Sequence, residues 1–492
     1  MDENLCKGNG IPKAQADRTA DFPRTVSLDE VLAFRERRAA RQEALLGELR
    51  LPLACLGLNI PGGYKDFPWA RRAFREEIRV FTLALKAEGI DVLHEEREEE
   101  ASGCTAYIAA AADAAVLKAA AIRCEETHPL GRLFDIDIHA AEGRKLSRED
   151  LQSPPRPCLV CGNSGFACAR ARVHSPEELG SAVRGIMETW LRQKLADTVC
   201  AAAVRAMMSE VAVTPKPGLV DRANNGAHSD MDFFTFIDST AALLPWFREC
   251  AVAGFAGSGK PLPFPGPLPE VSAPKDLFAS LRPPGRVAEV LMRQATGGVN
   301  THRGLIFCLG ILSASYGRLY RDSGNPSLAE ILELCRAMTT DLGEDFSRVS
   351  ARGLSHGETA YVRSGMRGIR GEVSRGFPTV SGYALPVLRR MLKEGHTVND
   401  AGIAVLLHIL AHAEDTNIAH RGGEGALSSV QEDLRAFLAA NPGMEALREK
   451  AASLDKAFIA ANISPGGCAD LLGVAFFLCW LPDETEDSGR KP

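Results

Sequence analysis

Two aspartates at alternate positions, Asp135 and Asp137, sit in the run Gly131-Arg132-Leu133-Phe134-Asp135-Ile136-Asp137-Ile138. On a strand, alternate side chains share a face. The pair would then project together while Phe134, Ile136 and Ile138 turn to the core. Carboxylates about 7 Å apart along a strand can bracket one or two Mg²⁺ ions. Such ions neutralise phosphate charge and polarise the attacked phosphorus, which is equipment for nucleotidyl transfer. The same pattern also suits the polar face of an edge strand. Arg132 beside it suits a phosphate or plain solvent.

A second cluster is Cys158-x-x-Cys161, then Cys168, Arg170, Arg172 and His174. Three cysteines and a histidine resemble a zinc set. However, the histidine lies six residues beyond the third cysteine, a looser register than a zinc knuckle, and small buried thiols are the alternative. Arg170, Arg172 and His174 alternate, which on a strand would make one basic face for phosphates.

Five polar, glycine-rich junctions mark the second half. Thr214 to Arg222 is a rigid segment with two prolines and a glycine that places Lys216, Asp221 and Arg222 near one another. Asn224 to Asp232 adds His228 and two carboxylates, of which Asp230 or Asp232 could equally cap the helix starting at Phe233. In Ala295 to Gly304, Gly297 and Gly298 let backbone amides approach an anion, a helix N-terminus follows, and His302 and Arg303 suit phosphate. A glycine-based helix crossing is the plainer reading. Gly365 to Gly376 carries Arg367 and Arg370 among glycines. It suits a triphosphate or a basic surface loop, and its spacing is not that of a dinucleotide fingerprint. His412 to Gly423 places Glu414 and Asp415 where they oppose a helix dipole. A bound cation or an arginine partner would help explain them, as would simple fraying. Asn462 to Asp470 opens the last helix.

These residues need elements to hold them. The chain has 492 residues, 45% apolar and 24% charged, with a net charge of −6 spread over both halves. That is ordinary for a globular protein of two to four domains. It excludes general disorder and argues against nucleic-acid binding. The run Leu471 to Leu481 is about half of a membrane span, and MDENLCKGNG lacks the apolar core of a signal peptide. Thirteen scattered cysteines fit reduced thiols in a cytoplasm. Residues 1–24 read as a flexible tail. Next come a helix over Ser27–Leu49 with a Ser27/Glu30 capping box, a strand over Leu53–Ile60 and a helix over Trp69–Glu88. A strand over Cys104–Ile108, a helix over Ala110–Ala121 and a strand over Leu133–His139 complete an α/β (α+β) domain, 25–187. From 188 to 492 helical periodicity dominates: about 186–210, 232–252, 285–318, 327–350, 382–395, 399–413, 426–461 and 468–481. This second domain reads as all-α, interrupted by a Pro/Gly-rich loop at 254–285.

The blocks together carry two resemblances. LNIPGGYK (Leu58 to Lys65), GRLFDIDI and CLVCGNSGFACARARVHS make residues 25–185 resemble the apo-citrate lyase phosphoribosyl-dephospho-CoA transferase family. The resemblance implies a nucleotidyltransferase using Mg²⁺ at Asp135 and Asp137, with Arg132, Arg170 and Arg172 toward phosphates. Its partner would be a serine of the citrate lyase acyl carrier protein (the gamma subunit). It also lowers the expectation of zinc. Gly62-Gly63 stands where Gly-Pro is expected. TPKPGLVDRANNGAHSDMD, ATGGVNTHRG, GIRGE with GFP, EDTN with HRGG, and SPGGCADLL make 195–482 resemble the triphosphoribosyl-dephospho-CoA synthase family. That implies an all-α enzyme joining ATP to 3′-dephospho-CoA with loss of adenine. Asp221, Asp232 or Asp415 would be its acid–base or cation-stabilising carboxylate. Lys216, Arg222, His228, Gly297, Gly298, His302, Arg303, Arg367, Arg370 and Arg421 would bind substrate. Arg303 replaces an expected Lys, and Glu414 an expected Asp. The rival readings are the same chemistry on a malonate decarboxylase carrier, and a non-catalytic carrier-binding assembly factor.

Overall fold

The computed structural model describes residues 24–257, 272–342, 366–422 and 424–482. The expected tail lies outside these but for Arg24. The chain divides into two compact units, one running to Trp190 and the other starting at Leu191.

In the first unit, helix α1 (Leu28–Leu49) starts as its sequence asks. Glu30 N donates to the Ser27 hydroxyl, and Ser27 N donates back to the Glu30 carboxylate. A five-stranded sheet follows, in the order β2-β3-β1-β4-β5 and antiparallel throughout, so the domain is the α+β form of the expectation. Strand β1 (Leu53–Leu58) is central and almost wholly buried. It pairs with β3 (Gly103–Ala110) on one side and β4 (Phe134–His139) on the other. Helix α2 (Pro68–Ala87) lays Phe74, Ile78, Phe81 and Leu85 into the core, and α3 (Ala114–Thr127) buries Leu117, Ala121 and Cys124. The short β5 (Lys145–Leu146) closes one edge.

The other edge, β2 (Val92–Glu100), is a strand the charge-rich run VLHEEREEE conceals. Three of its five acids are paired with helix arginines: Arg41 binds Glu96 through two hydrogen bonds, Arg37 donates to Glu100 and Arg75 to Glu99. Paired this way, alternate acids can lie half-buried in an edge strand. A second difference is α4 (Gly165–Ala171), which puts Arg170 on a helix and Arg172 at its left-handed end. The basic strand face expected of Arg170, Arg172 and His174 is therefore absent, because Ser164 accepts from Ala167 N and starts a helix there.

The second unit is helical among the described residues. Helix α5 (Pro176–Ala212) runs across the division at Trp190 and leads into α6 (Phe233–Ala256), α7 (Pro274–Ala295), α8 (Arg303–Ser323) and α9 (Leu328–Met338). Then come α10 (Gly368–Ser374), a π-turn at Val380–Ala384 and α11 (Leu385–Lys393). Helices α12 (Val398–His412), α13 (Thr416–Gly422), α14 (Glu424–Ala439), α15 (Met444–Ala460) and α16 (Gly466–Trp480) complete it. The loop expected over 254–285 is shorter than its prolines suggest. Helix α7 already runs from Pro274, through Pro283 and Pro284, because Leu277, Leu281, Ala288 and Met292 form one buried stripe. The expected helix over 327–350 is described only as far as α9 and the turn after it. Helices α6 and α8 cross closely at glycines. A Cβ at Gly254 would lie 2.0 Å from the Ala314 carbonyl oxygen, and one at Gly317 would lie 2.1 Å from that of Ala251. No described helix is long and apolar enough to cross a membrane.

Candidate functional sites

In the first unit, β4 buries Phe134, Ile136 and Ile138 and leaves Asp135 and Asp137 half-buried on its other face. The period-two reading of this strand holds. Asp137 faces Lys145 at 2.8 Å, and Asp135 faces Arg156 at 3.6 Å. Burial pushes the Asp135 carboxyl up, and the Asp137 charge adds to it, against the pull of Arg38, Arg156 and Lys145. Two acids held together against their own repulsion suit a divalent cation, so the pair fits Mg²⁺. A third acid comes from the apolar stripe of α2. The Glu77 carboxyl is fully buried, accepts from Asp135 N, and is pushed well up by burial. Glu77 lies in no quoted motif; only its place in an apolar stripe marks it.

Arg132 donates to the Pro157 carbonyl, and Arg156 donates to the carbonyls of Phe134 and Gly131. These two arginines tie the segment before Cys158 to the start of β4. Arg170 and Arg172 are exposed and share no face with the aspartates.

In the second unit, two cavities of about 730 and 680 Å³ share Asn300, Arg303, Gly304, Asn417 and Asp470 in their walls. Each falls in the ordinary range for small-molecule sites. The first is lined by six arginines: Arg282, Arg286, Arg293, Arg303, Arg367 and Arg370. Arg303 also meets Glu289 at 3.3 Å. The second is lined by Glu210, Lys216, His228, His302 and Ser464 among others.

Asp470 stands where the two cavities meet. It is half-buried beside Glu210 and Asp415, and desolvation followed by their charges pushes its carboxyl well above the usual range. The Leu305 N–H at the start of α8 pulls the other way. Gly304 makes room for it, since a Cβ there would sit 1.8 Å from Asp470 Oδ2. Across the second cavity, Lys216 Nζ donates to Glu210 Oε1 at 2.5 Å and to the Glu210 carbonyl at 3.0 Å, both side chains being buried. His302 Nδ1 lies 2.6 Å from Ser239 Oγ, and its Nε2 is buried with no partner. Burial first, then the Lys216 charge, holds the imidazole down to about 3, so it is neutral near pH 7. It can offer a directional hydrogen bond but no charge to a phosphate. His228 Nε2 lies 2.7 Å from Ser464 Oγ.

The other expected residues fall elsewhere. Asp221 is buried and organises the loop carrying Lys216: it accepts from Lys216 N, Ala223 N and Asn224 N. Asp232 caps α6 in a reciprocal box with Thr235. Helix α12 ends at His412, so Asp415 does not oppose its dipole. Instead it caps α13 through Asn417 N and Ile418 N and accepts from Cys468 N of α16. None of these three acids lines either cavity. Arg222 donates to Asn399 and Thr214, away from both cavities. Gly297 and Gly298 have positive φ angles of 65° and 98° in the turn before α8. The Arg421 side chain lies outside the described residues. The acids that line the cavities are Glu289 and Asp470 in the first and Glu210, Asp230 and Asp470 in the second; Asp470 stands in the SPGGCADLL block, whereas Glu210 is one polar residue in a long helix.

Comparison with known proteins gives two adjacent family matches. Residues 26–190 match the CitX family, apo-citrate lyase phosphoribosyl-dephospho-CoA transferase. Residues 196–488 match the CitG family, ATP:dephospho-CoA triphosphoribosyl transferase. The chain is 30% identical to the protein CitXG of Haemophilus influenzae over 92% of this chain and 96% of that one. It is 32% identical to the protein CitXG of Leuconostoc mesenteroides over 93% and 97%. Its second half is 40% identical to the 2-(5″-triphosphoribosyl)-3′-dephosphocoenzyme-A synthase of Klebsiella pneumoniae, over 58% of this chain and 92% of that protein. With a paired-aspartate strand in the first unit and an arginine-lined cavity in the second, the chain belongs to the CitX and CitG transferase families, joined in one polypeptide.

Proposed function

We propose that the two halves catalyse consecutive steps in making and attaching the citrate lyase prosthetic group. In the second unit, ATP and 3′-dephospho-CoA would occupy the adjoining cavities. The dephospho-CoA 2′-oxygen bonds to C1 of the ATP ribose, the bond from C1 to adenine N9 breaks, and adenine leaves with the bonding electrons. The arginines of the first cavity hold the triphosphate, which stays on the sugar. Asp470 gives its proton to the departing adenine and recovers one from the 2′-hydroxyl, so the proton count closes. Its carboxylate then faces a ribose carbon that is oxocarbenium-like in the transition state.

In the first unit, the hydroxyl oxygen of a carrier serine bonds to the phosphorus nearest the sugar, the bond from that phosphorus to the bridging oxygen breaks, and pyrophosphate leaves with the electron pair and takes up the serine proton. Asp135 and Asp137 would hold Mg²⁺, which supplies charge neutralisation to the departing pyrophosphate. Arg156 and Lys145 hold the two carboxylates on one side of β4.

The observation that carries this reading is Asp470, a half-buried carboxyl with a raised proton affinity in the common wall of two cavities, one of them lined by six arginines. Chromatography for free adenine tests it. Adenine released from Mg-ATP only when dephospho-CoA is present supports the first step. Modification of purified citrate lyase carrier, and not of a malonate decarboxylase carrier, supports the second. Tight carrier binding with neither product would favour an assembly factor.

A further inference from the structure

The first unit holds a cluster that the transfer chemistry does not use. Cys158, Cys161, Cys168 and His174 bring one ligand atom each within 4.8 Å of one another. The Sγ atoms of Cys161 and Cys168 are 3.5 Å apart. A tetrahedral zinc with Zn–S bonds of about 2.3 Å needs sulfurs about 3.8 Å apart, so only small shifts separate the cluster from that geometry. Every described cysteine is free.

The backbone is folded around these sulfurs. Cys158 N donates to Asn163 O, Gly162 N donates to Cys158 O, and Gly162 takes a φ of 74°. The tight turn aims the N–H groups of Val160 and Cys161 at the Cys158 sulfur and that of Asn163 at the Cys161 sulfur. Amides pointed at sulfur stabilise thiolates, the form that ligates metal. Helix α4 then brings in Cys168. A left-handed Arg172, with Val173 N donating to Cys168 O, turns the chain back to deliver His174. This return closes the loose register of the sequence. His174 Nδ1 lies 3.9 Å from the Glu178 carboxylate, while Nε2 is buried with no hydrogen-bond partner. Histidine ligands are held with a carboxylate beside one nitrogen and the metal on the other, and Glu178 stands on the Nδ1 side of this ring, 3.9 Å away.

We propose that Cys158, Cys161, Cys168 and His174 form a closed, four-ligand zinc site. Its role is structural, because four protein ligands leave no open position. The metal pins the segment whose first residues are tied beside Asp135: Arg156 donates to Phe134 of β4, and Pro157 accepts from Arg132 just before it. The site stands independently of the proposed transfer reactions.

Metal analysis of the full-length chain, purified under reducing conditions, tests it, with about one zinc per chain expected. Cobalt replacing the zinc should give thiolate-to-cobalt charge-transfer bands and the strong visible bands of a tetrahedral site. Cys168→Ser and His174→Ala should lose metal. His174→Cys should keep it and shift the cobalt bands toward those of four thiolates. Zinc removal is expected to lower carrier modification and leave adenine release unchanged. A reduced chain that carries no stoichiometric zinc and gives no cobalt–thiolate band overturns the proposal, even if every variant misfolds. So does a mass two hydrogens light that maps to a Cys161–Cys168 disulfide in the freshly isolated protein.

Discussion

Replacing Lys216 by Met tests the floor of the second cavity. The Lys216 ammonium and the Glu210 carboxylate are 2.5 Å apart and buried. The methionine keeps the length of the side chain and removes the charge. Glu210 then loses the two influences that hold its proton affinity down, the charge of Lys216 and its hydrogen bond, while burial still pushes it up. Stranding one member of a buried pair costs about 3–5 kcal/mol. At a urea slope of about 3 kcal/mol per M, the midpoint falls by about 1 to 1.7 M. Glu210 keeps its proton to a higher pH in the folded chain than in the unfolded one. Above the unfolded carboxylate range, stability therefore declines as pH rises. The deficit of Lys216→Met should be larger at pH 8 than at pH 5. Adding Glu210→Gln removes the stranded charge and should recover much of the loss. Urea unfolding followed by tryptophan fluorescence at both pH values reads all of this. A single variant within about 1 kcal/mol of wild type at pH 8, or a double variant no more stable than the single, would refute the reasoning.

Asp470→Asn should cut adenine release by about 10²–10⁴-fold, and wild-type rates should fall as pH rises through the raised Asp470 value; rate–pH profiles of both proteins check this. Gly304→Ala, whose Cβ would overlap Asp470 Oδ2 at 1.8 Å, should cost about a hundredfold in the same assay by displacing that carboxyl. Asp135→Asn and Asp137→Asn should abolish carrier modification with presynthesised triphosphoribosyl-dephospho-CoA and leave adenine release at the wild-type rate. Arg370→Ala should raise the KM for ATP more than it lowers kcat, seen in steady-state kinetics.

What the sequence reveals depends on how local each feature is. Asp135 and Asp137 are readable because a strand has a period of two and their apolar neighbours occupy the other phase. Most helices are readable for the same kind of reason. Strand β2 is hidden because three of its acids are paired with arginines 24 to 63 residues away. Helix α7 is hidden behind Pro283 and Pro284, which a buried stripe outweighs. Asp232 and Asp415 show the reverse case. Their acidity draws attention, yet each oxygen set is engaged by backbone amides of a helix start. Glu210 and Asp470 become special only when α5 and α16 bring them together, and no short window records that. The cysteines are visible as a motif, but their register closes only through α4 and the left-handed Arg172.

The wall shared by the two cavities has a thermodynamic consequence. Asn300, Arg303, Gly304, Asn417 and Asp470 border both spaces, so a ligand entering one changes the hydration and charge facing the other. The two affinities are then expected to be coupled. Whatever factor the nucleotide imposes on the binding of its co-substrate, the co-substrate imposes on the nucleotide. Dissociation constants measured in either order of addition must close the same cycle. Substituting a residue of that wall changes the size of the factor but never its symmetry.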